Sequence, residues 1–122
     1  MGSNKYEPHA LGKSGEELAL QYLENKKYRI IAKSFRMFRG EIDIIAYDRK
    51  TLVFVEVKAR KSRDFGAPEE SVTPNKQRQI RKIAEGFLAK NKLQDAECRF
   101  DVISLLFADD KGFSIHHIKN AF

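Results

Sequence analysis

The chain has 122 residues, 42% of them apolar and 11% aromatic, which suits one domain (1–122) with a modest core and implies no second. Lys and Arg number 23 against 17 Asp and Glu, a formal net charge of +6, and this favours a polyanionic partner, nucleic acid first, over an acidic or neutral one. A single cysteine, Cys98, excludes an internal disulfide and a cysteine-rich zinc framework; no apolar run nears the roughly 18 residues of a membrane span, and Met1 to His9 lack the apolar stretch of a signal peptide, so a cytoplasmic protein without a membrane partner is expected.

Residues 1–10 read as a flexible tail. From Ser14 to Lys26 the apolar residues Leu18, Ala19, Tyr22 and Leu23 recur at helical spacing. Glu17 stands at capping-box distance from Ser14, which gives it a structural explanation. Glu16 shares a face with Ala19, Leu20 and Leu23; it is either a rim acid or a carboxylate directed toward a sheet.

Three strands follow. Tyr28 to Phe38 is rich in aromatic and branched residues, and Gly40 to Ala46 and Leu52 to Lys58 flank a turn at Asp48 to Thr51. An even-length turn centred between Arg49 and Lys50 sets Asp43 opposite Glu56 and Lys58 opposite Glu41. In that register Ile42, Ile44, Ala46, Val53, Val55 and Val57 form one apolar core face. The other face carries Ile45, Tyr47, Leu52 and Phe54 near the turn and the charged residues at the far end. Like charges directly opposed across a ladder destabilise it, so the pair Asp43 and Glu56 suggests a cation between them. Hard divalent ions such as magnesium or manganese take carboxylate and carbonyl oxygens, and the Val57 carbonyl lies beside Glu56 as a further ligand. Lys58 returns to the face of Glu56, where an ammonium can orient water or offset charge on a phosphate. Solvated polar positions at the end of a sheet are the bland alternative for the same residues.

Residues 61–72 read as a mobile loop that borders this site. Thr73-Pro74 opens a second helix with an apolar stripe of Ile80, Ile83, Ala84, Phe87 and Leu88, running to about Asn91. Lys76 and Gln79 continue the stripe toward the active end of the sheet. Arg60, Lys61, Arg63, Lys76, Arg78, Arg81 and Lys82 make two basic clusters flanking the acids, and are the expected contacts to a nucleic-acid backbone. Arg99 to Phe107 is a fourth strand, placed parallel to the strand of Glu56 by the intervening helix. Ala108 to Gly112 is a turn and Phe113 to Ile118 a last strand. Asp101 is expected to make a structural hydrogen bond. His116 and His117 point to opposite sides of their strand and receive no role.

Helical Gly15-Glu16 with Ala19, Gly40-Glu41-Ile42-Asp43, Phe54-Val55-Glu56-Val57-Lys58 with Arg60, Phe65-Gly66, and Arg99-Phe100-Asp101-Val102 together resemble the YraN-type family within the PD-(D/E)XK nuclease superfamily, related to archaeal Holliday junction resolvases. The resemblance runs from about Leu11 to Phe122. It implies an α/β fold, a restriction-endonuclease-like αβββαβ core with a mixed central sheet flanked by helices and an extra C-terminal strand. It implies Glu16, Asp43 and Glu56 as the acidic site, Lys58 as the catalytic lysine, and Lys76 and Gln79 as helpers. The proline of the superfamily motif is absent, since Ile42 precedes Asp43. The expected activity is magnesium-dependent (or manganese-dependent) hydrolysis of phosphodiester bonds in branched or single-stranded DNA, by a homodimer if the resolvase analogy extends that far. The rival expectations are a nucleic-acid-binding module that keeps the fold without turnover, and a protein-interaction domain.

Overall fold

The computed structural model describes residues 14–61, 72–108 and 112–122. The expected tail (1–10), most of the expected loop, Arg63, Phe65, Gly66 and the middle of the last turn lie outside these residues. The elements run α1 (Gly15–Asn25), β1 (Arg29–Met37), β2 (Gly40–Asp48), β3 (Thr51–Lys61), α2 (Pro74–Lys90), β4 (Cys98–Phe107) and β5 (Phe113–Ile118). The sheet follows chain order, β1-β2-β3-β4-β5. Its pairings are antiparallel except for the parallel β3 and β4, so the mixed α/β core expected from the sequence is present.

Local chemistry explains the helix starts. The Ser14 hydroxyl accepts from the Glu17 amide and the Glu17 carboxylate accepts from the Ser14 amide, a reciprocal cap of about 1 kcal/mol. Thr73 caps α2 through the Lys76 amide, with Pro74 at the first helical position, where its missing N–H leaves no carbonyl unserved. Each helix then covers one face of the sheet. Leu18, Ala19 and Leu23 of α1 pack on Ile44, Ala46, Val53, Val55, Ile103 and Leu105. On the other side Ile80, Ile83, Ala84 and Phe87 of α2 pack on Ile42, Ile45, Leu52, Phe54 and Val102.

Two sequence expectations need correction. Ile42 belongs to the α2 core, not to the α1 face with Ile44. Between the β1–β2 pairs Lys33–Ile44 and Phe35–Ile42 stands Ser34, with a φ of 47°. Strict alternation of β2 fails across Asp43, which stands opposite this left-handed residue of β1. The second correction concerns the loop expected to start at Lys61. Instead β3 continues through Arg60 and Lys61, which pair with Leu106 and Phe107, and Val72 is buried against α2.

At the turn end of the sheet, Asp101 is wholly buried and accepts hydrogen bonds from Arg99, from the Asn120 amide and, if His117 Nε2 carries the proton, from that ring. Arg99 also donates to Asp48 and to the Tyr28 hydroxyl, and the Tyr22 hydroxyl meets His117 Nδ1. The structural role expected for Asp101 is thus present, and His117, given none by sequence reading, joins it. Burial alone would raise the Asp101 carboxyl; the hydrogen bonds from His117, Arg99 and Asn120 overcome it and hold the group below its ordinary value.

Candidate active site

The β2–β3 hairpin keeps the expected register from Asp48–Thr51 through Ile44–Val55. The two-residue turn is set by Arg49 in left-handed conformation, φ 59°. The ladder ends at Ile44–Val55, one step short of Asp43 and Glu56. Beyond it β2 remains paired to β1 and β3 to β4, so the two central strands part. Asp43 and Glu56 are therefore not ladder partners. The Asp43 carboxylate instead bridges the opening, accepting from the Val57 amide at 2.8 Å. A buried N–H left without a carbonyl needs such a substitute.

Parting the strands creates a place where three carboxylates from two elements, α1 and β2, converge. Glu16 in the first turn of α1 accepts from the Ser34 hydroxyl at 2.9 Å. Glu41 pairs across the ladder with Arg36 and makes an ion pair with it at 3.3 Å; the expected facing of Glu41 and Lys58 is not found. Carboxylate oxygens of Glu16, Glu41 and Asp43 lie within 4.8 Å of one another. Burial pushes the Asp43 carboxyl up to about 7; the Val57 hydrogen bond opposes the rise, and the charges of Glu56, Glu16 and Glu41 add to it.

The approach of α1 depends on Gly15. A Cβ at that position would stand 2.9 Å from Ala59 Cβ on β3, a separation side-chain carbons do not adopt. The missing side chain lets the helix start seat Glu16 over the cleft.

Glu56 occupies the other side of the opening. It is only 6% exposed, and its Oε2 is 3.6 Å from Lys58 Nζ and 3.8 Å from Lys76 Nζ. Gln79, one turn beyond Lys76, lies against Gly40: a Cβ there would be 2.7 Å from Gln79 Nε2. Two lysines and an amide thus border the acids from β3 and α2. Among the other basic candidates, Arg78 bonds Asn75, Arg81 lies over the rings of Phe100 and Phe122 at 4.6 and 5.6 Å, and Lys82 lies 5.0 Å from the ring of Phe38.

Glu41 is the residue the sequence reading left out of the site. Its spacing of two from Asp43 was a signal, but the broken pleat puts it beside α1 rather than beside Lys58. As a donor set, three clustered carboxylates suit a hard divalent cation. The raised Asp43 carboxyl is what a cation would relieve, because its cause is burial together with neighbouring negative charge.

The description "Uncharacterised protein family UPF0102" fits residues 15–105, a span holding every acid and lysine of the cleft. A UPF0102 protein of Geotalea daltonii is 50% identical over 121 residues, covering 99% of this chain and 95% of its own. One of Geotalea uraniireducens is 52% identical over 113 residues, 93% of this chain and 89% of its own. One of Chlorobium limicola is 48% identical over 123 residues, 96% and 95% of the two.

Proposed function

Since this chain belongs to the UPF0102 family, we propose, from the chemistry of its cleft, that it is a divalent-cation-dependent endonuclease of the PD-(D/E)XK type, hydrolysing phosphodiester bonds in DNA. The observation that carries the reading is the convergence of Glu16, Glu41 and Asp43 next to a glutamate held by two lysines. Asp43, Glu16 and Glu41 would hold magnesium or manganese, with Glu56 as the neighbouring donor. When bound, such an ion neutralises charge on the scissile phosphate and lowers the pKa of water.

The chain's own groups do the rest. Lys58 and Lys76 exchange Glu56 for a phosphate oxygen and offset the charge that develops on it. Gln79 donates to the phosphate or orients the attacking water. The Val57 amide fixes Asp43 in place, so the acid meets its partners without reorganising. Basic residues bordering the cleft hold the polyanion by its backbone.

The test is cleavage of a panel of single-stranded, flapped, branched and duplex DNA, with RNA alongside, in magnesium or manganese and in excess chelator. Asp43→Ala and Glu56→Ala should abolish turnover, and Lys58→Ala should slow it by about 100- to 1,000-fold, while circular dichroism shows the fold intact. Cleavage that persists unchanged in these variants or in chelator rules the reading out. A second reading, a nucleic-acid-binding module without turnover, is favoured by one observation: Arg36, Lys58 and Lys76 already pair with two of the four acids. It predicts salt-dependent binding and no cation-dependent cleavage on any substrate.

A further inference from the structure

Among the described residues, Phe38 is the one large apolar side chain left exposed, at 51% of its surface. A single exposed apolar residue is ordinary, but its backbone is not. Phe38 and Arg39 form the two-residue tip of the β1–β2 hairpin between the paired Met37 and Gly40, with φ of 55° and 61°. A tip of this shape takes Asn, Asp or Gly without steric cost. A bulky aromatic there is an outlier. The fold thus keeps a phenyl ring at a position where both solvent and backbone disfavour it, and such outliers point to function.

The ring is also held in place. Gly86 of α2 lies beneath it, where a Cβ would stand 2.8 Å from Phe38 Cε2. The Lys82 ammonium lies 5.0 Å from the ring centroid. These contacts belong to the side of α2 that reaches the cleft. Lys76 meets Glu56, Gln79 lies against Gly40, and Lys82 is six residues beyond Lys76, about 9 Å along the helix axis. Arg39, at the tip itself, and Lys82 add positive charge. An anchored, exposed ring with a cationic rim, next to a phosphate-binding cleft, has the composition of a base-stacking platform on a strand-tracking surface.

We propose that Phe38 stacks an unpaired base of the strand whose phosphate lies in the cleft, so that the preferred substrate is single-stranded DNA or a branch point with unpaired nucleotides, not intact duplex. The inference rests on the nuclease reading and narrows its substrate. A duplex hides its base faces and must be unpaired before one can reach the ring. Unpaired nucleotides offer theirs at once.

The test is binding in chelator, where no cleavage interferes, to single-stranded and duplex oligonucleotides carrying 2-aminopurine. Wild type should bind the single strand more tightly and quench the probe. Phe38→Ala should lose about 5- to 150-fold in single-strand affinity, the range of one base–aromatic stack, and should lose the quenching, with duplex affinity little changed. Phe38→Trp should restore both. Phe38→Asn suits the left-handed tip, so it should melt at or above the wild-type temperature and still bind weakly, which separates stacking from folding. Undiminished single-strand affinity and quenching in Phe38→Ala overturn the platform, and leave the nuclease reading intact if that variant still cleaves. A wild-type protein with no affinity for either DNA overturns both.

Discussion

The Val57 amide donates to the Asp43 carboxylate at 2.8 Å, so an acid side chain supplies the acceptor where β2 and β3 separate. One residue thereby satisfies the Val57 amide at the end of the β2–β3 ladder and carries a carboxyl that burial raises.

That double role makes stability depend on pH. Folded Asp43 titrates at about 7 against an ordinary 3.8. A carboxyl raised by folding costs nothing below 3.8; as pH climbs, the unfolded chain releases its proton first, and stability is lost from there up to about 7. Asp43→Asn keeps an oxygen for the Val57 amide and carries no charge. In chelator its melting temperature should exceed that of wild type by about 5 °C more at pH 8 than at pH 4, about 1 kcal/mol after solvent screening of a part-exposed group. Parallel melting curves for the two proteins across this range would contradict the assignment.

Glu41 should matter as much as the acids legible in the motif. Calorimetric titration of manganese should show Glu41→Gln and Glu16→Gln each weakening binding on the order of ten-fold or more, since carboxylate count sets affinity for hard cations. Full-strength binding in Glu41→Gln would remove it from the site.

Gly15→Ala alters no acid, yet its new Cβ meets Ala59 Cβ at 2.9 Å and must push the first turn of α1 away from β3. Displacing Glu16 in this way should slow cleavage by up to about 100-fold, with manganese affinity falling in step. A variant equal to wild type in both would show that the helix start does not position Glu16.

Lys58→Ala is expected to reduce the cleavage rate by about 100- to 1,000-fold, the effect of deleting one charge-stabilising donor. Its melting temperature should hardly move, because a part-exposed ion pair contributes little. Single-turnover kinetics at saturating substrate separates this from weaker binding.

Asp101→Ala should destabilise by about 3–5 kcal/mol in urea denaturation, because Arg99 and His117 lose their buried partner. The sign of its pH dependence is opposite to that of Asp43. A carboxyl held below 3.8 gives stability that is fully present above 3.8 and is lost as pH falls through the lower folded value. Wild type should therefore lose this advantage over Asp101→Ala only in strong acid.

Much of this layout was legible beforehand, for identifiable reasons. Helix caps at Ser14 and Thr73 are local chemistry, and the hairpin register follows from turn parity and the apolar pattern, both short-range. The parallel placement of β4 follows from the helix between it and β3. What stayed hidden depended on backbone geometry at single residues. Opposite the left-handed Ser34, Ile42 lies on the α2 side and Glu41 beside Glu16, and no alternation rule anticipates it. The strand parting past Ile44 and Val55 likewise follows no short-range pattern: the β2–β3 pairs stop there while the flanking ladders continue. Asp48 and Tyr28 meet Arg99, His117 meets Asp101 and Tyr22 meets His117, all from segments far apart in the chain, so only the folded protein joins them.

The Arg99–Asp101 cluster ties α1, the β2–β3 turn, β4 and the C-terminal residues together, whereas at the opposite margin β2 and β3 have no ladder between them. A sheet pinned along one border and divided along the other behaves like a clothes-peg: thermal motion concentrates at the jaws. Amide hydrogen exchange should be slower around Val53 and Val102 than at Glu41 and Lys58, and any ion gripped between the jaws should slow the latter far more than the former.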